Sequence, residues 1–137
     1  MDVSQSISIF QIVYLFINLS EDLIQNVLEV ERRNPRMMKI KIVLGRKVVH
    51  IFSVYAPHVG RTEEEKEAFW GRLDDAVAAV AQPEVLMVGG DLNGHIGVER
   101  EGFQDIMGVN GFGERNQEGE RILEFCKSRV EGVEYYV

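Results

Sequence analysis

Apolar and polar positions follow two different rhythms along this chain. MKIKIVLG, Met38–Gly45, sets Lys39 and Lys41 between apolar neighbours, the two-residue alternation of a strand with one dry face and one wetter face. VVHIFSVYAP, Val48–Pro57, is β-branched and aromatic almost throughout and predicts a more deeply buried strand. Gly45-Arg46-Lys47 reads as a tight hairpin between the two, and Pro57 ends the second by removing a ladder donor. The period then changes. Thr62-Glu63-Glu64-Glu65 has the pattern of a capping box, and Phe69, Leu73, Ala76, Val77 and Val80 recur at helical spacing as a core-facing stripe. This helix stops near Gln82-Pro83. Val85–Val88 is uninterrupted apolar sequence, which fits a strand buried on both faces, although periodicity alone also admits a short helix. Gln117–Arg129 predicts a second helix, with Ile122, Leu123, Phe125 and Cys126 turned inward. Strand, helix and strand in succession make an α/β chain.

The totals narrow the possible functions. A chain of 137 residues is one domain, and its 45% apolar content is enough to build a core. A net charge of −7 argues against a general nucleic-acid coat or an acidic-membrane binder. Much of that charge sits in Glu63, Glu64, Glu65, Glu67, Asp74 and Asp75, a solvated helix face, so a phosphate site elsewhere that uses a divalent cation stays open. Cys126 is the single cysteine; it forms no disulfide framework or cysteine-rich zinc site and reads as a small buried hydrophobe. His50, His58 and His95 show no metal-ligand spacing, and His50 falls on a strand face. The apolar run ISIFQIVYLFI, Ile7–Ile17, is shorter than the roughly 20 residues of a membrane span. It has the length of a signal-peptide core, but Asp2 stands where a basic flank belongs and no small-residue cleavage site follows. It reads as a buried strand or a foreign leader, and no membrane association is expected.

The densest chemistry lies in VLMVGGDLNGHIG, Val85–Gly97. An apolar run reaches Gly89-Gly90 and at once presents Asp91 and Asn93. If the strand persists to its end, these two residues point to the same side, just past the carboxyl end of a buried strand, where α/β proteins commonly build sites. The competing reading is an Asx-rich turn, which explains Asp, Asn and Gly without any ligand. The segment is not an EF-hand loop, because Ile96 and Gly102 stand where Gly and Glu are required. GVNGFGERN lacks the Lys-Ser/Thr ending of a P-loop, and no GxSxG nucleophile turn is present. A phosphodiester-cleaving arrangement survives these exclusions. It needs a hard cation on oxygen ligands, a group that orients water, and donors for charge growing on phosphate oxygens. Asp91 can ligate Mg²⁺ or take a proton from water, Asn93 can donate its amide to a non-bridging oxygen, and Tyr55 can bring a hydroxyl from the end of the neighbouring strand. Tyr55 is equally a core residue whose hydroxyl reaches the rim.

Four collinear segments carry a resemblance: SVYAPHVG (Ser53–Gly60), EEEKEAFWGRLDD, GGDLNGHIG (Gly89–Gly97) and GFGERNQEGERILEFC (Gly111–Cys126). Together they resemble the endonuclease/exonuclease/phosphatase superfamily, which includes AP endonucleases. Within it they are most similar to endonuclease domains of non-LTR (LINE-type) retrotransposons and to craniofacial development protein 2-like proteins. The resemblance runs from Ile17 to Tyr135. It implies that Tyr55, in the YxP motif, lies beside the scissile phosphate. It implies that Asp91, in GDxN, positions or deprotonates the attacking water, and that Asn93 contacts the phosphate; both are implied to take part in binding Mg²⁺. His58 follows YAP where relatives carry Asn or Gln, and is implied to touch substrate. Arg115 and Asn116, in GERN, are implied to lie near DNA; read from the residues alone, Asn116 is a helix N-cap and Arg115 a solvated cation.

The implied fold is the central part of a four-layer α/β sandwich with mixed, largely antiparallel sheets. Residues 1–16 form an unmatched apolar leader and residues 17–137 a partial domain. The family's early asparagine and metal-binding glutamate have no counterpart before Ile17, and its closing aspartate and aspartate–histidine motifs have none before Val137. The resulting expectation is a truncated Mg²⁺-dependent phosphodiesterase or DNA endonuclease domain, inactive alone, its main carboxylate ligand missing. The expected partner is DNA, weakly held, with self-association through an uncovered sheet. The alternative is a non-catalytic interaction module that reuses the fold.

Overall fold

The computed structural model describes residues 21–129. Their elements are α1 (Glu21–Ile24), β1 (Val27–Asn34), β2 (Met37–Leu44), β3 (Lys47–Tyr55), α2 (Glu63–Ala78), β4 (Val85–Asp91) and α3 (Gln117–Lys127). The apolar run Ile7–Ile17 lies outside the described residues.

The four strands form a mixed sheet in the order β1-β2-β3-β4. β2 and β3 pair antiparallel from Met37↔Val54 to Leu44↔Lys47. Their connection is one residue tighter than the sequence suggests: Gly45 and Arg46 alone join the strands, and Gly45 takes φ 62°, where glycine carries no steric penalty. β1 adds antiparallel to β2, a strand that hydrophobic pattern alone does not reveal. After β3 the chain crosses over through α2 and returns as β4, parallel to β3, from Val49↔Val85 to Tyr55↔Asp91. β4 therefore runs three residues beyond Val88 and contains both Gly89 and Gly90.

Alternate residues of β2 serve different faces, as its pleat requires. Met37 joins Phe52, Val54, Leu86 and Val88 under Phe69, Leu73 and Val77 of α2 and Ile122 and Phe125 of α3. Met38 and Ile40 belong to a second cluster with Val27, Ile51 and Tyr55. Trp70, outside the predicted stripe, ties the two helices together: its ring centroid lies 5.3 Å from that of Phe69 and 5.5 Å from that of Phe125. Cys126 is buried, as expected, and burial pushes its thiol up to about 11, so it is inert as a nucleophile.

The helix starts follow the sequence. Thr62 caps α2, its side chain accepting from the Glu65 N–H at 3.2 Å. Lys66, one turn in, is buried and donates to Glu63 Oε1 at 3.0 Å and to Glu118 Oε1 at 2.9 Å. It thereby fastens the first turn of α2 to the first turn of α3. The hydrogen bond to Glu118, and then that to Glu63, hold the Lys66 ammonium above its usual range, and Lys66 in turn holds Glu118 below the ordinary carboxylate range. No helix among the described residues is long and apolar enough to cross a membrane.

Candidate functional site

Because β3 and β4 are parallel, their carboxyl ends reach the same edge of the sheet. Tyr55 and Asp91 are register partners there, and the Ala56 N–H donates to the Asp91 carbonyl at 2.8 Å, carrying the ladder one residue further. The close approach depends on Gly90. It lies opposite Val54 with φ 139°, and a Cβ at this position would overlap the Val54 carbonyl oxygen. The two glycines are thus the last interior residues of the strand, not the exit from it.

Asp91 and Asn93 converge for a reason other than strand alternation. The strand ends at Asp91, and Asn93 turns back with φ 49°, a left-handed conformation that asparagine tolerates better than most residues. Its N–H donates to Asp91 Oδ1 at 2.9 Å, and its Nδ2 donates to the Ala56 carbonyl at 2.7 Å. An Asx turn therefore brings the two residues together, as the turn reading has it. Asn93 keeps a second amide N–H and its Oδ1 without partners among the described residues. So do Oδ2 of the exposed Asp91 and the hydroxyl of the half-buried Tyr55.

The other expected residues lie farther along the rim or face inward. His58 is exposed, and its Nδ1 accepts from the Gly60 N–H at 3.1 Å; in the neutral ring that leaves the proton on Nε2 as a donor. Asn116 caps α3, with Oδ1 accepting from Gly119 N at 2.8 Å and also from His95 N at 3.0 Å. It thereby laces the segment after Asn93 to the start of the helix. The backbones cross closely there: a Cβ on Gly119 would overlap the His95 carbonyl oxygen, and one on Gly94 would lie 2.7 Å from Ile122 Cδ1. Arg115 engages all three guanidinium nitrogens nearby. Nε donates to the Ile96 carbonyl at 3.0 Å, Nη1 to Glu120 Oε2 at 3.0 Å, and Nη2 to the Glu99 carbonyl. It braces the loop instead of standing as a solvated cation.

One residue at this edge carries no signal in the sequence. Arg36, in the β1–β2 turn, donates from Nη1 to the Tyr55 carbonyl at 3.2 Å, and its guanidinium lies 5.5 Å from the Tyr55 ring centroid. Nothing in NPRMM distinguishes such an arginine from an ordinary turn residue.

For a metal, Asp91 Oδ2 and Asn93 Oδ1 are hard oxygen donors of the kind Mg²⁺ takes, and Mg²⁺ is commonly held by one or two carboxylates plus water and substrate phosphate. The donor chemistry fits as part of such a site. Among the described residues no group of three or more His, Cys, Asp and Glu side chains is arranged to hold an ion.

The geometry defines an α/β protein whose exposed polar residues collect at the carboxyl ends of adjacent parallel strands, the usual place for a site in this class. Over 94 residues the chain is 29% identical to craniofacial development protein 2 of Bos taurus, a match that takes in 69% of this chain and 16% of that protein. The chain thus spans a small part of the relative's length. No protein-family model and no solved structure matches it.

Proposed function

We propose that this chain carries part of a Mg²⁺-dependent phosphodiesterase site of the endonuclease/exonuclease/phosphatase type. Its substrate is DNA, as for retrotransposon-type endonucleases, and its fold belongs to the corresponding four-layer sandwich. The observation that carries the reading is the register pairing of Tyr55 with Asp91, with Asn93 locked across them onto the Ala56 carbonyl. Three side chains are held there through the backbone while their outer donors and acceptors stay unpaired among the described residues.

Each group then has a task. Asp91 Oδ2 orients a water or accepts its proton, the second N–H of Asn93 donates to a non-bridging phosphate oxygen, and the Tyr55 hydroxyl donates beside it. His58 Nε2 supplies a further donor to the substrate strand. Asp91 and Asn93 would hold Mg²⁺, which when bound supplies positive charge against phosphate oxygens. A positioned acid or base contributes about 10²–10⁴-fold to rate. Asp91 is the one carboxylate among these groups, so turnover by this chain alone is expected to be weak.

The test is incubation of purified chain with supercoiled plasmid and Mg²⁺, beside Asp91→Ala and an EDTA control, with duplex retention measured in parallel. The expected result is Mg²⁺-dependent retention and at most slow nicking, both losing their Mg²⁺ dependence in Asp91→Ala. Nicking indifferent to Asp91 would overturn the reading. So would folded protein that neither nicks nor binds DNA with Mg²⁺, and an interaction module would then be the better account.

A further inference from the structure

A cavity of about 340 Å³ opens beside the β1–β2 turn, against the first turns of α2. Met37 and Phe69 line it with apolar surface, and Asn34, Arg36 and Arg72 line it with nitrogen donors. β1 runs in the same direction as β3, because each is antiparallel to β2. Asn34, at the carboxyl end of β1, therefore lies at the same end of the sheet as Tyr55 and Asp91, and Arg36, beside the Tyr55 ring, links the cavity on the α2 face to that end.

The two arginines differ from most others in the chain. Arg33, Arg61, Arg115, Arg121 and Arg129 each lie on a carboxylate. Among the described residues Arg36 and Arg72 have none within 4.0 Å. Arg36 is nevertheless fixed in place. Its N–H donates to Asn34 Oδ1 at 2.9 Å, its carbonyl accepts from the Tyr55 N–H at 2.9 Å, and its Nη1 holds the Tyr55 carbonyl. A half-buried guanidinium held through its backbone and one nitrogen, with the rest of its donor fork unpaired, is prepared for an anion.

Charge selects among anions. Glu64 and Glu65 also line the cavity, but Arg61 lies 3.8 Å from Glu65. Among the lining residues Arg36 and Arg72 are thus balanced by one unpaired carboxylate, Glu64, a net charge of about +1 by group charges. That balance suits the single negative charge of a phosphodiester better than the dianion of a free phosphate or a phosphomonoester.

We propose that Arg36 and Arg72, with the Asn34 amide, form a second phosphate subsite that grips an internucleotide phosphate flanking the one at Tyr55. The subsite rests on the nuclease-type reading above and adds the direction in which the strand leaves the site, over the β1–β2 turn and along the start of α2.

The experiment measures binding of a short DNA duplex to the full chain across a KCl series, for the parent protein, Arg72→Gln, Arg36→Lys and Arg36→Gln, with unfolding followed for each. Arg72 makes no hydrogen bond or ion pair among the described residues, so Arg72→Gln tests the subsite without disturbing the fold. Removing one cation that neutralises a phosphate lowers the slope of log K against log salt by about 1. Arg72→Gln and Arg36→Gln are each expected to show that drop, and Arg36→Lys to keep the slope while binding more weakly. Inorganic phosphate should compete poorly. Duplex binding with an unchanged slope in Arg72→Gln overturns the subsite alone. Slope changes without any Asp91 or Mg²⁺ dependence support the subsite and overturn the catalytic reading. No duplex binding by the parent chain overturns both.

Discussion

The two ends of the β3–β4 pair handle polar groups in opposite ways. At the amino end of β4, buried His50 donates from Nε2 to Glu84 Oε2 at 2.6 Å, and Lys41 stands 4.0 Å from the other carboxylate oxygen. The side chains there satisfy one another, apart from His50 Nδ1, which is buried without a partner. The hydrogen bond from His50, helped by the charges of Lys41 and Lys39, holds the Glu84 carboxyl below its ordinary range against the opposing effect of burial. At the carboxyl end, Tyr55, Asp91 and Asn93 are held chiefly by bonds to backbone, and their outer donors and acceptors face no partner among the described residues. Polar groups that consume one another hold a fold; polar groups anchored from behind stay available to a ligand. Arg115 and Arg36 repeat the contrast, one with every guanidinium nitrogen engaged by the neighbouring loop and the first turn of α3, the other tethered by a single guanidinium nitrogen.

Substitutions can break this contrast, and the largest effect belongs to Gly90. Gly90→Ala places a Cβ against the Val54 carbonyl in a backbone conformation unfavourable to alanine. It should destabilise the chain by about 3 kcal/mol in denaturant titration; a loss under about 1 kcal/mol would mean that the strand ends part easily. Next comes Asn116→Ala, which removes the α3 cap and the bond to His95 N together. It should cost about 2 kcal/mol, against about 1 for Thr62→Ala, which removes a single cap bond. Equal losses would show that the lacing to His95 adds nothing.

Glu84→Gln should lower Tm modestly at pH 7, since the glutamine can still accept from His50. The folded carboxyl titrates below its ordinary value of 4.5, so its contribution is present above about that pH and is lost as pH falls through the lower folded value. The Tm gap between parent and variant should therefore narrow in acid; a gap that widens would reverse the assignment. The smallest change in stability should come from Asp91→Asn, which keeps an acceptor for the Asn93 N–H. It should stay within about 0.5 kcal/mol of the parent while abolishing whatever Mg²⁺-dependent nicking the chain has. A strongly destabilised Asp91→Asn would place Asp91 with His50 and Glu84, among groups that hold the fold.

Those parts of the chain written in local chemistry are legible in the sequence. The Thr62 cap, the Phe69–Leu73–Ala76–Val77 stripe and the apolar run into Gly89-Gly90 each announce themselves over a few residues, and the structure contains all three. β1 is not legible, because VLEVERRN carries too much charge for its alternation to stand out at the sheet edge. The convergence of Asp91 and Asn93 is visible, but strand alternation is the wrong cause for it: a left-handed asparagine cannot be distinguished in sequence from one more extended residue. Lys66, Glu118 and Arg36 stay hidden for a different reason. Lys66 pairs with Glu118, and Arg36 with Tyr55, across the fold, and pairing of that kind leaves no period in the sequence.

The charged character of β1 has a consequence for how the molecule behaves in company. Among the described residues β1 pairs on one side only, and it exposes Leu28 and Val30. Such an edge is a template on which another chain can add a strand. Here Glu29, Glu31, Arg32 and Arg33 interrupt the apolar positions, and the pairing with β2 slips twice, between Val27 and Glu29 and between Arg32 and Asn34. An approaching strand would have to desolvate those charges and follow an irregular ladder. The residues that conceal β1 in the sequence thus also make its open side a poor template for a further strand.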